Sequence, residues 1–418
     1  MSGLDLAQAP PPERPLRWLS SVPIWGMAAG GWLLVHGETA LTSRWSLHTV
    51  ALVHLFTLGV LGNAMLGALL QFVPVAAGSA MPVSKQAGWL HVVYNLGLVL
   101  FVVGLGLGFP AVLGMAAALL ALPLLAFALA ALPGLFAAGA RRSLRAGIGF
   151  ALAALIATVL VGLLAVAILR GDAALPLEHI ADVHAVLGLL GWNLALIAAV
   201  GSITLPMFQG TVTVPAHWLS RWLLLTGICL LAGILLRLGN GSPTGLVVAA
   251  AVPALLLVAA SFWLPLRALH QRNPALRAFW RFGTLAVGTA CCLALLQTAQ
   301  VLPASTAMLA GALGIGVGLP MMVIGMLLEI TAFLTWIGLR QACPRGVRVP
   351  GTGRLLPESD KRVVLAAHLT CLLALPAAVP WPVLAKPAGM LLASAHALTL
   401  IYMLRCRQRA RRFLQASA

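Results

Sequence analysis

Twelve apolar runs, each long enough to cross a bilayer, take up almost the whole chain. Charged or Pro/Gly-rich breaks separate them. The spans read as 19–36, 47–75, 88–109, 111–139, 146–169, 181–208, 217–238, 245–268, 278–301, 305–339, 362–384 and 388–405. With 61% hydrophobic and 8% charged residues, the chain has too little charge to clothe a soluble surface. The expected fold is all-α: a polytopic membrane protein of about twelve helices, forming a single integral domain over residues 1–418. Short polar segments lie outside the bilayer: a tail at 1–18, a loop at 340–361 and a tail at 406–418. The start is polar and proline-rich, with no signal-peptide apolar region.

The basic residues set the orientation. Of the 26 Lys and Arg, only Arg44, Arg170, Arg237 and Lys386 fall on the outer side when the N-terminus is placed inside. This bias predicts cytoplasmic N- and C-termini in a bacterial inner membrane. It also assigns the net charge of +17 to topology and anionic lipid rather than to nucleic acid. The cysteines, Cys229, Cys291, Cys292, Cys343, Cys371 and Cys406, show no CxxC or CxxCH spacing and read as small apolar packers.

Three spans share a pattern. HTVALVHLFTLGVLGNAMLGALLQFVP (48–74) carries His48, His54, spaced glycines, Asn63, Gln71 and Pro74. HAVLGLLGWNLALIAAVGSITLP (184–206) begins on His184 and ends on a proline. GIGVGLPMMVIGMLLEITAFLTW (314–336) keeps the glycines, lacks a histidine and places Glu329 four residues after Gly325, as Gln71 follows Gly67. Gly67, Gly201 and Gly325 recur at roughly 130 residues, which divides the spans into three sets of four. His54 and His184 then lie near the outer ends of equivalent helices, at matching depth. Imidazoles so placed suit axial ligation of haem iron. They also suit hydrogen bonding between helices, as in a transporter. Glycines 59, 62, 67, 188, 191 and 201 would leave room for a flat macrocycle, or let helices pack closely.

VHLFTLGVLGNAMLGALLQFVP and VHAVLGLLGWNLALIAAVGSITLP resemble helices of the haem–copper oxidase superfamily, which includes cytochrome c oxidase subunit I, nitric oxide reductases and NnrS-type haem membrane proteins. The resemblance implies twelve helices in three four-helix arcs with a cytoplasmic N-terminus. GALLQFVP is similar to the end of the helix that supplies a low-spin haem histidine. HAVLGLLGW is similar to a haem-ligating stretch whose first histidine falls on His184 and whose second falls on Val186. The copper-ligating His-His pair is missing, neither Tyr94 nor Tyr402 has the required His, and the third repeat has none. Haem b without copper is therefore expected, with electron transfer or nitric oxide or oxygen binding and sensing as the function. Respiratory or denitrification electron-transfer proteins would be the partners. The alternatives are a cofactor-free permease of a small solute and a structural partner of a respiratory system.

His54 and His184 are the expected iron ligands, with His368 and His396 as alternatives. Arg44, Arg170 and Lys386 are candidates for pairing with haem propionates. Glu329, His91 and Tyr94 are candidates for proton handling, Glu329 also for snorkelling to the interface. Asp182 would orient a histidine or cap its helix. His36, His48 and His179 read as interfacial, His217 and His270 as solvated, and Met321, Met322 and Met326 as packing.

Overall fold

The computed structural model describes residues 9–136, 141–267, 272–344 and 346–417. His270, expected to be solvated, and the first residues of the N-terminal tail lie outside them. Among the described residues there are twelve long helices and no strand. They are α1 (Glu13–Ala40), α2 (Leu47–Val75), α3 (Ala87–Leu107), α4 (Pro110–Phe136), α5 (Arg142–Arg170) and α6 (Leu177–Gln209). Then follow α7 (Ala216–Asn240), α8 (Thr244–Leu266), α9 (Pro274–Thr298), α10 (Thr306–Ala342), α11 (Glu358–Ala377) and α12 (Ala385–Ser417). Each matches one expected span, because a backbone in hydrocarbon must satisfy its own hydrogen bonds.

Eleven of these helices, among the described residues, are long and apolar enough to cross a membrane. The exception is α11, at 20 residues with Glu358, Asp360, Lys361 and Arg362 in its first turns. The expected span 362–384 is therefore displaced toward the N-terminus. Pro380 and Pro382, which have no N–H to give, follow its early end, and Pro382–Leu384 forms a 3₁₀ turn. Helix also enters two of the segments expected as tails: α1 begins at Glu13 and α12 continues to Ser417. The 340–361 segment holds the end of α10 and a short helix, Thr352–Leu355.

The helices form two compact units. The first contains residues 9–71, 272–287 and 311–417, and the second the remaining described residues. In the first unit α1 and α12 cross antiparallel at small residues. A Cβ on Gly30 would lie 2.5 Å from the Gly389 carbonyl, and one on Gly37 would lie 2.6 Å from the Ala385 Cβ. Close backbone approach of this kind is how apolar helices gain contact where lipid is as apolar as they are. In the second unit α3 meets α4 at Gly97, α5 meets α6 at Gly147 and Gly191, and α7 meets α8 at Gly233. Arg145 donates to the carbonyls of Gly134 and Leu135, and Arg141 to that of Ala76. Arg145 thereby serves carbonyls that α4 leaves open at its C-terminus.

The three related spans share a backbone feature. Each contains a π-helical segment: Leu55–Gly62 in α2, Leu187–Leu194 in α6 and Ala312–Gly318 in α10. Such segments are rare and cluster at functional sites. Their recurrence at equivalent places supports the threefold repeat read from glycine spacing.

Candidate functional site

His54 immediately precedes the π segment of α2, and its Nδ1 lies 2.8 Å from the Val50 carbonyl of its own helix. His184 lies three residues before the π segment of α6, and its Nδ1 is 3.0 Å from the Thr158 carbonyl of α5. A carbonyl only accepts, so each bond places the ring proton on Nδ1 and the basic lone pair on Nε2. Metal-ligating histidines commonly have this arrangement, the other ring nitrogen being tied to a carbonyl. His54 belongs to the first unit and His184 to the second.

Gly59, Gly67 and Gly191 do not leave open room beside these helices. A Cβ on Gly59 would lie 2.7 Å from the Trp25 Cβ, one on Gly67 2.9 Å from the Trp18 Cβ, and one on Gly191 2.8 Å from the Ala154 Cβ. Neighbouring helices already fill these faces, so at these three glycines the packing alternative is the one realised. The amides serve the π segments themselves. Asn63 donates to the Gly59 carbonyl at 3.0 Å and Asn193 to the Gly188 carbonyl at 2.7 Å. In the third repeat Pro320 stands just after the segment, with no N–H to donate.

His368 and His396, the alternative ligands, stand side by side on α11 and α12 with ring centroids 4.9 Å apart, edge to face. Phe279 of α9 meets His368 edge-on at 5.8 Å. A Cβ on Gly26 of α1 would lie only 2.1 Å from the His396 ring. His368 Nε2 is 3.0 Å from the Thr399 hydroxyl, whose proton goes to the Ala395 carbonyl, so Nε2 is the donor. His396 is fully buried, and neither of its nitrogens has a hydrogen-bond partner among the described residues. Two rings in direct contact leave no gap for a macrocycle, so they do not form an axial pair.

Glu329 does not snorkel. It is buried and accepts from Lys361 Nζ at 2.6 Å. The same ammonium meets Glu358 Oε2 at 3.0 Å and the Asn273 amide oxygen at 3.3 Å, so its three protons have three oxygens. Glu358 also accepts the Ala275 backbone N–H at 2.6 Å. This charge cluster ties α9, α10 and α11 together, and Asp360 extends it to Arg409 of α12 at 2.7 Å.

The remaining candidates have specific settings. Asp182 pairs with buried Arg237 of α7 at 2.9 Å; it does not cap α6, which starts five residues earlier at Leu177. Arg170 pairs with Asp172 at 2.8 Å, both partly exposed, and its guanidinium packs over Gly114. Arg44 lies over the Trp45 ring at 4.3 Å, and Lys386 is exposed at the start of α12. On α3, Tyr94 is fully buried, His91 is half-buried, and Asn95 donates to the His91 carbonyl at 2.7 Å. Met321, Met322 and Met326 are buried packing residues. His217 is exposed, and His179 pairs with Glu178 at 3.7 Å. His36 and His48 stack at 4.3 Å and 13°, with Trp32 Nε1 donating to the His48 carbonyl at 3.0 Å.

Sequence reasoning missed Lys361 and Arg237 as buried partners. Their partners lie 32 and 55 residues away in the sequence, so only the packing of the helices pairs them. Together, the long apolar helices and their buried polar groups define a polytopic α-helical membrane protein. No protein-family model matches the chain, and no curated protein matches it significantly.

Proposed function

We propose that the protein is a b-type haem membrane protein in which His54 and His184 present Nε2 to iron. One observation carries the reading. Both histidines stand at the entrance to a π segment of related helices, and each has its Nδ1 on a backbone carbonyl. That bond fixes ring orientation and raises the basicity of the opposite nitrogen. When bound, haem would supply one-electron transfer or an open position for a diatomic gas such as nitric oxide or oxygen, according to how many imidazoles hold its iron. Arg44 and Lys386 share a unit with His54 and are the cations proposed for carboxylate groups of the cofactor, whereas Arg170, in the unit of His184, is already paired with Asp172.

The competing reading is a cofactor-free permease. The observation favouring it is Lys361, held in a buried cluster with two carboxylates and an amide oxygen. Intramembrane ionisable groups of this kind mark ion and proton pathways. Purification in mild detergent, with haem assayed as its pyridine complex against protein, separates the two. Stoichiometric haem b supports the first reading, and the ratio reports whether the imidazoles serve one iron or two. A colourless, iron-free preparation from haem-supplemented cells overturns it, and leaves the permease or a structural partner of a respiratory system.

A further inference from the structure

α12 does not stop where its apolar stretch ends. It continues as one helix to Ser417, through Arg405, Arg407, Arg409, Arg411 and Arg412. The extension is anchored to the protein, because Met403, Cys406 and Ala410 form a buried stripe at helical spacing. At 100° per residue, Arg405, Arg409 and Arg412 line one flank of that stripe, and Arg407 and Arg411 line the other. Arg409 is neutralised by Asp360 and also donates to the Leu355 carbonyl. Arg405, Arg407, Arg411 and Arg412 have no acidic partner among the described residues, and Arg405, Arg411 and Arg412 are exposed.

Aromatic residues mark the depth of this surface. Arg405 lies over the Tyr402 ring at 5.0 Å, and Arg340, at the matching end of α10, lies over Trp336 at 5.5 Å. The two ends are on the same side of the unit, since Pro12 ahead of α1 packs on Gly338 and α1 runs antiparallel to α12. Tyr and Trp settle at the headgroup level of a bilayer, so guanidiniums one turn beyond them reach the phosphates. A guanidinium fork suits a phosphate better than a point charge does.

We propose that the α12 extension, with Arg340 of α10, is a binding surface for anionic phospholipid headgroups. The partner is a phosphodiester-bearing lipid of the leaflet at that end, held by Arg405 and Arg412 on one flank of α12 and by Arg407 and Arg411 on the other, with Arg340 contributing from the matching end of α10. This surface is independent of the haem reading and would stand if that reading failed.

The test is lipid binding by the full-length protein in detergent, read by native mass spectrometry with added phosphatidylglycerol or phosphatidylcholine. Phosphatidylglycerol should bind about 25-fold better, the product of two contacts each worth roughly fivefold. The Arg405→Gln/Arg412→Gln variant should bring that ratio close to one, while Glu38→Gln, exposed at the opposite end of α1, should leave it unchanged. Should the double variant fail to fold, a salt titration of the unaltered protein decides: the preference must vanish toward 1 M salt, where screening reaches about 3 Å. No preference in the unaltered protein, a preference insensitive to salt, or one retained in the folded double variant would overturn the proposal. Displacement by millimolar inorganic phosphate would reassign the surface to free anions and overturn the lipid assignment.

Discussion

α2 and α6 place a histidine before the same backbone irregularity, yet they secure it differently. His54 bonds to Val50, four residues back in its own helix, so its orientation is fixed as soon as α2 forms. His184 bonds to Thr158 on α5, and its ring rests where a Cβ on Gly162 would come within 2.9 Å. Its orientation therefore depends on how α5 docks. The related α10 has no imidazole and carries Glu329, whose charge is matched by Lys361 of α11. Where α10 has that carboxylate, α2 has Gln71, buried with neither amide atom bonded among the described residues. One recurring helix pattern thus supports a locally fixed imidazole, one fixed by its neighbour, and a charge fixed by its neighbour.

The largest expected effect comes from the charged member of the set. Lys361→Met leaves buried Glu329 without its counter-charge and facing Glu358, and should destabilise the first unit by about 3–5 kcal/mol. The Glu329→Gln/Lys361→Met double variant should recover part of that loss, both read by thermal unfolding in detergent. A single variant as stable as the parent would show that the cluster is not a structural tie.

Next comes the dependence of His184 on α5. Gly162→Leu should displace the ring, at about 1–3 kcal/mol for overpacking, and should mimic His184→Ala in its haem spectrum. The His54 contribution should be untouched. If Gly162→Leu leaves the spectrum as it was, α5 does not position His184.

The smallest effect is expected at Arg170, whose ion pair with Asp172 is partly solvated, with side chains 35% and 54% exposed. Arg170→Gln should change stability by less than about 1 kcal/mol. Since Asp172 already holds Arg170, haem content should be unchanged; a marked loss of haem would restore it as a cofactor contact.

Much of the fold was legible because the bilayer simplifies the problem. Run length, Pro/Gly breaks and the placement of arginines mark helices whose backbone has no alternative. α11 was the least legible, because its span is set by two prolines at one end and a charged first turn at the other. The π segments were not legible, since an i→i+5 bond leaves no mark in apolar periodicity; only the glycine spacing hinted at them. The site was less legible still. Gly59 and Gly191 read equally as cofactor room or as helix contact, and only the positions of Trp25 and Ala154 decide. Lys361 read as a loop charge because it stands at the head of a helix. Its partner, 32 residues earlier, is reached only through the antiparallel packing of α10 and α11. His368 and His396 looked like separate spare ligands, but the packing of α11 against α12 brings them into contact.

The central claim is that His54 and His184 hold iron. It is tested most directly by reduced-minus-oxidised spectra of the purified protein beside His54→Ala, His184→Ala and His396→Phe. The account predicts a b-type spectrum in the parent. Each of the first two variants should show haem loss or a low-spin to high-spin change, and His396→Phe should show neither. A haem spectrum that survives both alanine substitutions unchanged, or one that disappears in His396→Phe alone, would contradict it.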